Sequence, residues 1–274
     1  MVPYSKTHFR VTLSHEIPAG WIPYSIERSK ALYGETPGAA TLIQHLNLPE
    51  YSIYFVRLHS ALNESLVLVR DRPVFFLMVQ LRNTLEVSLP GIPSFRSLEW
   101  SFNFFYADVF ELDIQMKEYA EYETFFLLVP EAFVLYFAKE HESVRTFHKK
   151  TRGKMTQSLL PQPKICPPGV MQKIDRILLE GMWDLQLPFA EELLSLIFQS
   201  ADSLPYRKVQ YDDEIIKRLY ALRAFLQLQP ETLLSRTELM QRFRLSTQQF
   251  DQGFASIYNF TPFSFLKYLR TQNG

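Results

Sequence analysis

The sequence predicts an α+β protein, with an N-terminal antiparallel β region of jelly-roll type followed by an all-α C-terminal region. Three observations carry that prediction. The first 130 residues are short apolar runs, rich in β-branched and aromatic residues, divided by turn signals. No helical period of 3.6 runs through them. After Pro130 the spacing of apolar residues becomes helical and remains so to the end.

In chain order the strand candidates are "ATLIQHLNL", "YSIYFVRL", "SLVLV", "FFLMVQL", "TLEVSL", "WSFNFFYADVFELDIQM" and "YETFFLLV", separated by "NLPEY", "LNE", "RDRP", "LRN" and "LPGIPS". Many short strands at this spacing predict an antiparallel sandwich or small barrel and not alternating βαβ units. "PEAFVLYFAKEHESVRTFHKK" then reads as one helix opened by Pro130, with Phe133, Phe137 and Val144 at helical spacing. "TRGKMTQSLLPQPKICPPG" carries four prolines and two glycines and reads as a connector. Helices follow near Val170–Glu180 and Pro188–Ser200. In the second, Leu193, Leu194, Ile197 and Phe198 form an apolar stripe, either core or a dimer seam, with core favoured.

The last segment divides into four helices. "DDEIIKRLYALRAFLQLQ" opens on Asp212, Asp213 and Glu214, suited to a helix N-terminus, and places Ile215, Leu219, Leu222 and Leu226 on one face. "SRTELMQRF" has Ser235 three residues before Glu238, the spacing of a capping box. "LSTQQFDQGFASIY" starts with Ser246 as N-cap and turns Phe250, Phe254 and Ile257 inward. "TPFSFLKYLR" is capped by Thr261, with Pro262 at its first position. The expected organisation is a barrel with a trailing helix over 1–150, a linker and helical connector over 151–204, and a small helical domain over 205–274.

Composition narrows the function classes. Of the 274 residues 47% are hydrophobic, enough for the chain to bury a core without staples. The single cysteine, Cys166, excludes an internal disulfide and a zinc–thiolate cluster. Formal net charge is zero, which argues against a surface built wholly for nucleic acid. From Pro205 onward, however, ten Lys/Arg stand against six Asp/Glu, a modestly basic segment permissive for DNA. The N-terminus lacks a secretory pattern and no window approaches a membrane span, so a cytoplasmic protein without membrane contact is expected.

Catalytic signatures are missing. The six histidines, His8, His15, His45, His59, His141 and His148, form no His-x-His pair of the kind that announces a barrel metal site, and phosphate loops and nucleophile elbows do not occur. No enzyme, metal or cofactor is expected. A barrel of this composition can instead hold a small molecule, with Arg10, His59, Arg82, Trp100 and Tyr106 as residues of the type that line such pockets.

The C-terminal pattern is more specific. Leu239, Phe243, Leu245, Ser246, Phe250, Phe254, Thr261, Pro262, Phe265, Leu269 and Arg270 follow the order of a short helix, a tight turn, a Ser-capped recognition helix and a Thr-Pro-capped linker helix ending in Leu-Arg. This resembles the first helix-turn-helix of the AraC-type transcription regulators. The resemblance implies a cupin-like jelly roll for ligand sensing or dimerisation, a helical connector, and DNA as partner. It places Ser246 at the start of the recognition helix, makes Gln248, Gln249 and Gln252 the base-edge contacts, and leaves Arg236, Arg242, Arg244, Lys267 and Arg270 to hold phosphates.

Departures from the family pattern stand beside it. Gln252 replaces an Arg of the recognition helix and is flanked by Asp251, which would repel phosphate, and Gly253, which weakens a helix. Asn259 replaces a glycine and Met240 an alanine. The sequence ends at Gly274, in or just after the linker helix, so the second helix-turn-helix is expected to be absent. Two functions result: a ligand- or dimer-controlled transcriptional regulator, or a shortened relative that acts by protein association, for instance by homodimerisation or by pairing with a full-length relative. A simple small-molecule-binding cupin protein is a further alternative.

Overall fold

The apolar runs pair into two antiparallel sheets. The smaller has the order β1 (Val2–Ser5), β6 (Glu64–Arg70), β11 (Phe110–Met116), β8 (Leu85–Leu89), β9 (Ile92–Ser97). The larger runs β13 (Gln157–Ser158), β10 (Ser101–Ala107), β7 (Val74–Arg82), β12 (Ala120–Val129), β5 (Ser52–Ser60), β4 (Ala39–Asn47), β3 (Lys30–Glu35), β2 (Leu13–Ser14), and β14 (Lys164–Ile165) also pairs with β10. This is a computed structural model, and it describes residues 2–5, 11, 13–180, 187–202, 213–229, 231–258 and 260–273. From β5 to β12 the chain crosses repeatedly from one sheet to the other, which is jelly-roll winding. The protein is therefore α+β, as its patterning predicts.

The larger sheet is a middle layer. Phe76 and Met78 of β7 join Leu66, Leu68, Val87, Phe110 and Ile114 in the core between the sheets. Their neighbours Phe75, Leu77 and Val79 join a second core with Val134, Phe147, Ile174, Leu193 and Phe198 of the helices. Burial on both faces explains why β7 and β10 read as largely apolar runs, broken only by buried Gln80, Ser101 and Asn103 and by the exposed Arg82 that ends β7, and not as alternating ones. Gln44, the buried amide of β4, fastens the segment before β3: its Nε2 donates to Tyr24 O at 2.9 Å and its Oε1 accepts from Ile26 N at 2.5 Å.

The helical layer comprises α1 (Glu131–Phe137), α2 (Glu142–Thr151), α3 (Pro168–Glu180) and α4 (Leu187–Asp202). The single helix expected after Pro130 is thus two. His141 has extended backbone, and its Nδ1 lies 2.6 Å from Asp202 Oδ2 of α4. Arg145 donates to Ala138 O at 3.0 Å and Lys139 O at 3.1 Å, satisfying carbonyls freed by the break. Leu193, Leu194, Ile197 and Phe198 are fully buried, so the α4 stripe is core and not a dimer seam.

The chain forms two units, Met1–Ser203 and Leu204–Gly274. The segment 151–203 lies in the first, where β13 and β14 extend the larger sheet and α3 and α4 complete its helical core. The second unit contains α5 (Asp213–Leu228), α6 (Arg236–Phe243), a widened turn of helix at Gln249–Gly253 that runs on into α7 (Phe254–Tyr258), and α8 (Pro262–Asn273). Its core is Leu219, Leu222, Leu226, Leu239, Phe250, Phe254 and Leu266. Asp212 and Asn259, and the side chains of Ile257 and Leu269, lie outside what is described.

Candidate functional site

The second unit builds a helix-turn-helix from local hydrogen bonds. Ser235 caps α6: its Oγ accepts from Glu238 N at 3.3 Å, and Glu238 Oε2 accepts from Ser235 N at 2.7 Å. Those bonds hold the Glu238 carboxyl below the ordinary range. After Phe243 the chain turns through Arg244 in the left-handed conformation, φ 51° and ψ 48°, and Leu245 N donates to Met240 O at 2.9 Å. A glycine would enter that conformation freely, whereas an arginine pays about 1 kcal/mol. From α5, Arg218 Nη1 donates to Arg244 O at 3.0 Å and pins the turn.

A second capping box starts the next helix. Gln249 N donates to Ser246 Oγ at 3.3 Å and Ser246 N to Gln249 Oε1 at 2.8 Å. The helix then widens to π-type hydrogen bonding over Gln249–Gly253. Phe250 and Phe254 both stay fully buried: the Phe250 ring lies 6.3 Å from that of Phe263, and the Phe254 ring 5.8 Å from that of Phe265.

The expected DNA-facing residues divide by role. Gln248 and Gln252 are exposed, as are Arg244 and Lys267. Ser246 and Gln249 are engaged with each other in the capping box, where Gln249 Oε1 accepts from Ser246 N. Asp251 forms an ion pair with Arg236 of α6, which neutralises the repulsion expected of it and occupies one of the expected phosphate contacts. The Arg242 guanidinium lies over the Phe225 ring, 4.2 Å from its centroid. Arg270 Nη2 donates to Thr232 O at 2.9 Å, tying α8 to the segment before α6. Sequence reading passed over Arg218, whose spacing from Glu214 is the one available signal.

In the first unit the space between the sheets is filled. Phe76, Phe105, Phe110 and Phe126 are fully buried there, the Phe76 ring 5.1 Å from Phe105 and 4.9 Å from Phe110. A void beside Thr41 and Met116 has a volume of only about 10 Å³. A larger cleft, about 430 Å³, opens where β7, β10 and β12 meet the start of α1, with Tyr51, Arg70, Phe75, Tyr106 and Glu131 among its walls. Of the suggested pocket residues, Tyr106 lines it. His59 is exposed on β5, and Arg82 is paired with Glu121 at 2.5 Å and Glu123 at 3.7 Å. Trp100 packs half-buried against the helical core and donates Nε1 to Glu99 at 2.8 Å, and Arg10 lies outside the described residues.

The histidines serve separate roles. His141 meets Asp202, and His148 Nε2 lies 2.7 Å from Glu131 Oε1. The His45 ring stacks on Tyr54 at 4.2 Å, and burial above all pushes its pKa down to about 4. Among the described residues no group of His, Cys, Asp and Glu could hold a metal ion, and no helix is long and apolar enough to cross a membrane.

No protein-family model matches the chain, and no curated protein matches its sequence significantly. Solved structures similar to it include the AraC-like transcriptional activator CuxR, at 8% identity and a TM-score of 0.40, over 96% of this chain and 94% of that one. ToxT from Vibrio cholerae is similar at 6% identity and a TM-score of 0.34, over 82% of each chain. The cupin domain of Cnp3 from Schizosaccharomyces pombe is similar at 11% identity and a TM-score of 0.27, over 32% of this chain and 64% of that one.

Proposed function

We propose that this chain is a transcriptional regulator of AraC type, working in the cytoplasm and without catalytic activity. It binds DNA through α6 and the helix that follows Ser246, under the control of a small ligand or of dimerisation at the jelly roll. One observation carries the reading: two short helices, each fastened by its own capping box, flank a left-handed turn at Arg244 and leave Gln248 and Gln252 exposed on the second helix. A rigid helix with exposed amides suits the major groove, where Gln pairs bidentately with adenine.

A second reading, association with another protein in place of DNA, is favoured by the lack of any Lys or Arg from Leu245 to Leu266 and by the engagement of Arg236 with Asp251. Fluorescence anisotropy of random and promoter-derived duplexes, at about 50 and 200 mM salt, separates the two, because counterion release makes DNA binding strongly salt-dependent. Binding that weakens with salt and falls in Gln252→Ala supports the regulator. Flat anisotropy with folded protein overturns it in favour of the protein partner.

A further inference from the structure

The cleft at the end of the larger sheet carries charges of both signs around an aromatic wall. Arg70 ends β6, Glu50 lies in the connection between β4 and β5, and Glu131 is the first residue of α1. Phe75 and Tyr106, ring centroids 4.9 Å apart, line the same cleft. We propose that this cleft binds a zwitterionic small molecule of the free amino-acid class, its carboxylate at Arg70, its ammonium at Glu131 and Glu50, and its side chain against Phe75 and Tyr106.

Four features support the assignment. Its volume, about 430 Å³, lies within the range of small-molecule sites and admits one amino acid with its hydration. Arg70 offers a cation for a carboxylate and Glu50 and Glu131 offer acceptors for an ammonium, so a zwitterion engages both ends of the cleft where a ligand of one sign engages one. The hydroxyls of Tyr51 and Tyr106 have raised pKa values, by burial first and then by Glu50 beside Tyr51 and by Asp108 and Glu131 near Tyr106, so neither adds a negative charge to the cleft.

The walls are also held in place before any ligand arrives. Tyr106 Oη donates to Asp108 Oδ1 at 3.3 Å, Glu131 is held by the buried His148, and Ser52 Oγ donates to Asn47 Oδ1 at 3.0 Å in the loop that closes one side. Between the sheets, by contrast, a ligand would have to displace Phe76, Phe105 or Phe110 from a close-packed core. Glu131 opens α1 and meets His148 of α2, so ligand at the cleft bears directly on the helical layer.

The inference deepens the ligand-control half of the proposed function, but binding is measured with no DNA present, so either can fail alone. Isothermal titration calorimetry of the full chain with the standard free L-amino acids is expected to show saturable binding by at least one. Its N-acetyl derivative and its decarboxylated amine are each expected to bind at least about tenfold more weakly, the loss of one charge-assisted contact. Arg70→Gln and Glu131→Gln are expected to weaken the free amino acid to a similar extent. Glu50→Gln, on an exposed loop residue, gives a second test of the ammonium end that leaves the His148 contact intact.

Titration without heat across the whole set, checked by an unshifted melting temperature, overturns the proposal. So does undiminished binding of the N-acetyl form, which would make the ligand a simple anion, or of the amine, which would make it an organic cation. Binding unaltered in all three folded variants places the ligand elsewhere and overturns it equally.

Discussion

On the regulator reading, the ion pair between Arg236 and Asp251 limits the positive charge that the second unit would present to DNA. Both partners are partly exposed, 46% and 35% by side chain, so the pair contributes only about 0–1 kcal/mol to stability. Asp251→Asn is therefore expected to leave the fold intact while removing a negative charge from the helix that follows Ser246 and releasing the Arg236 guanidinium. One added phosphate contact steepens the dependence of log affinity on log salt by about 0.9, so the affinity lost between about 50 and 200 mM grows by about 3.5-fold. The assay is anisotropy of one duplex over that salt range for the parent, Asp251→Asn, and Asp251→Asn combined with Arg236→Ala. The combined variant is expected to return to the parental slope. Unchanged affinity and slope in Asp251→Asn, with circular dichroism like the parent's, or a gain that survives loss of Arg236, would refute the reasoning.

Three further outcomes are expected. Ser246→Ala removes the acceptor of Gln249 N and costs about 1 kcal/mol, read as faster hydrogen exchange confined to the helix that starts there. Phe76→Ala opens a cavity among Phe105, Phe110 and Phe126 and destabilises the jelly roll by about 3–5 kcal/mol in urea denaturation. His45 is held at about 4 against an ordinary 6.5, so the unfolded chain takes up its proton first: this contribution is complete above about pH 6.5 and is lost as pH falls toward about 4. His45→Phe keeps the stack on Tyr54 and is expected to flatten melting temperature across that interval, and a slope equal to the parent's would show that other groups titrate there.

The jelly roll was legible because its strands are short apolar runs bounded by Pro, Asn and Gly. The helices were legible because Phe250 and Phe254, or Leu219 and Leu222, recur on one face. What escaped depends on contacts between distant segments. The spacing of Phe137 and Val144 fits one continuous helix, and it is His141 meeting Asp202, 61 residues away, that marks the break. The widened turn at Gln249–Gly253 escaped because Phe250 and Phe254, four apart, share a face in either kind of helix. That Gln249 closes a box with Ser246 shows only in geometry. The cleft joins Tyr51, Arg70, Tyr106 and Glu131 from four segments, a juxtaposition no local pattern announces.

On the regulator reading, the tasks of the arginines in the second unit limit what DNA binding by one such unit could reach. Arg223 is buried over the Tyr258 ring, Arg218 pins the recognition turn, Arg242 lies on Phe225, Arg270 holds Thr232 O and Arg236 holds Asp251. Each has a structural task within the helical unit, and a phosphate that recruits one of them must compete with that partner. Among the described residues Lys267 and Arg244 are exposed, and on the regulator reading a phosphate contact from each would together give a salt slope of about 2, small beside that of proteins making 6–10 contacts. Discrimination by Gln248 and Gln252, about 1–3 kcal/mol for each good bidentate pair, does not make up that deficit in affinity. On that reading a single helical unit of this kind would read sequence better than it holds DNA. Pairing two copies on one duplex doubles the phosphate contacts and both readouts together, so on the regulator reading occupancy of a specific site depends on the oligomeric state of the whole chain and rises with protein concentration more steeply than one-to-one binding.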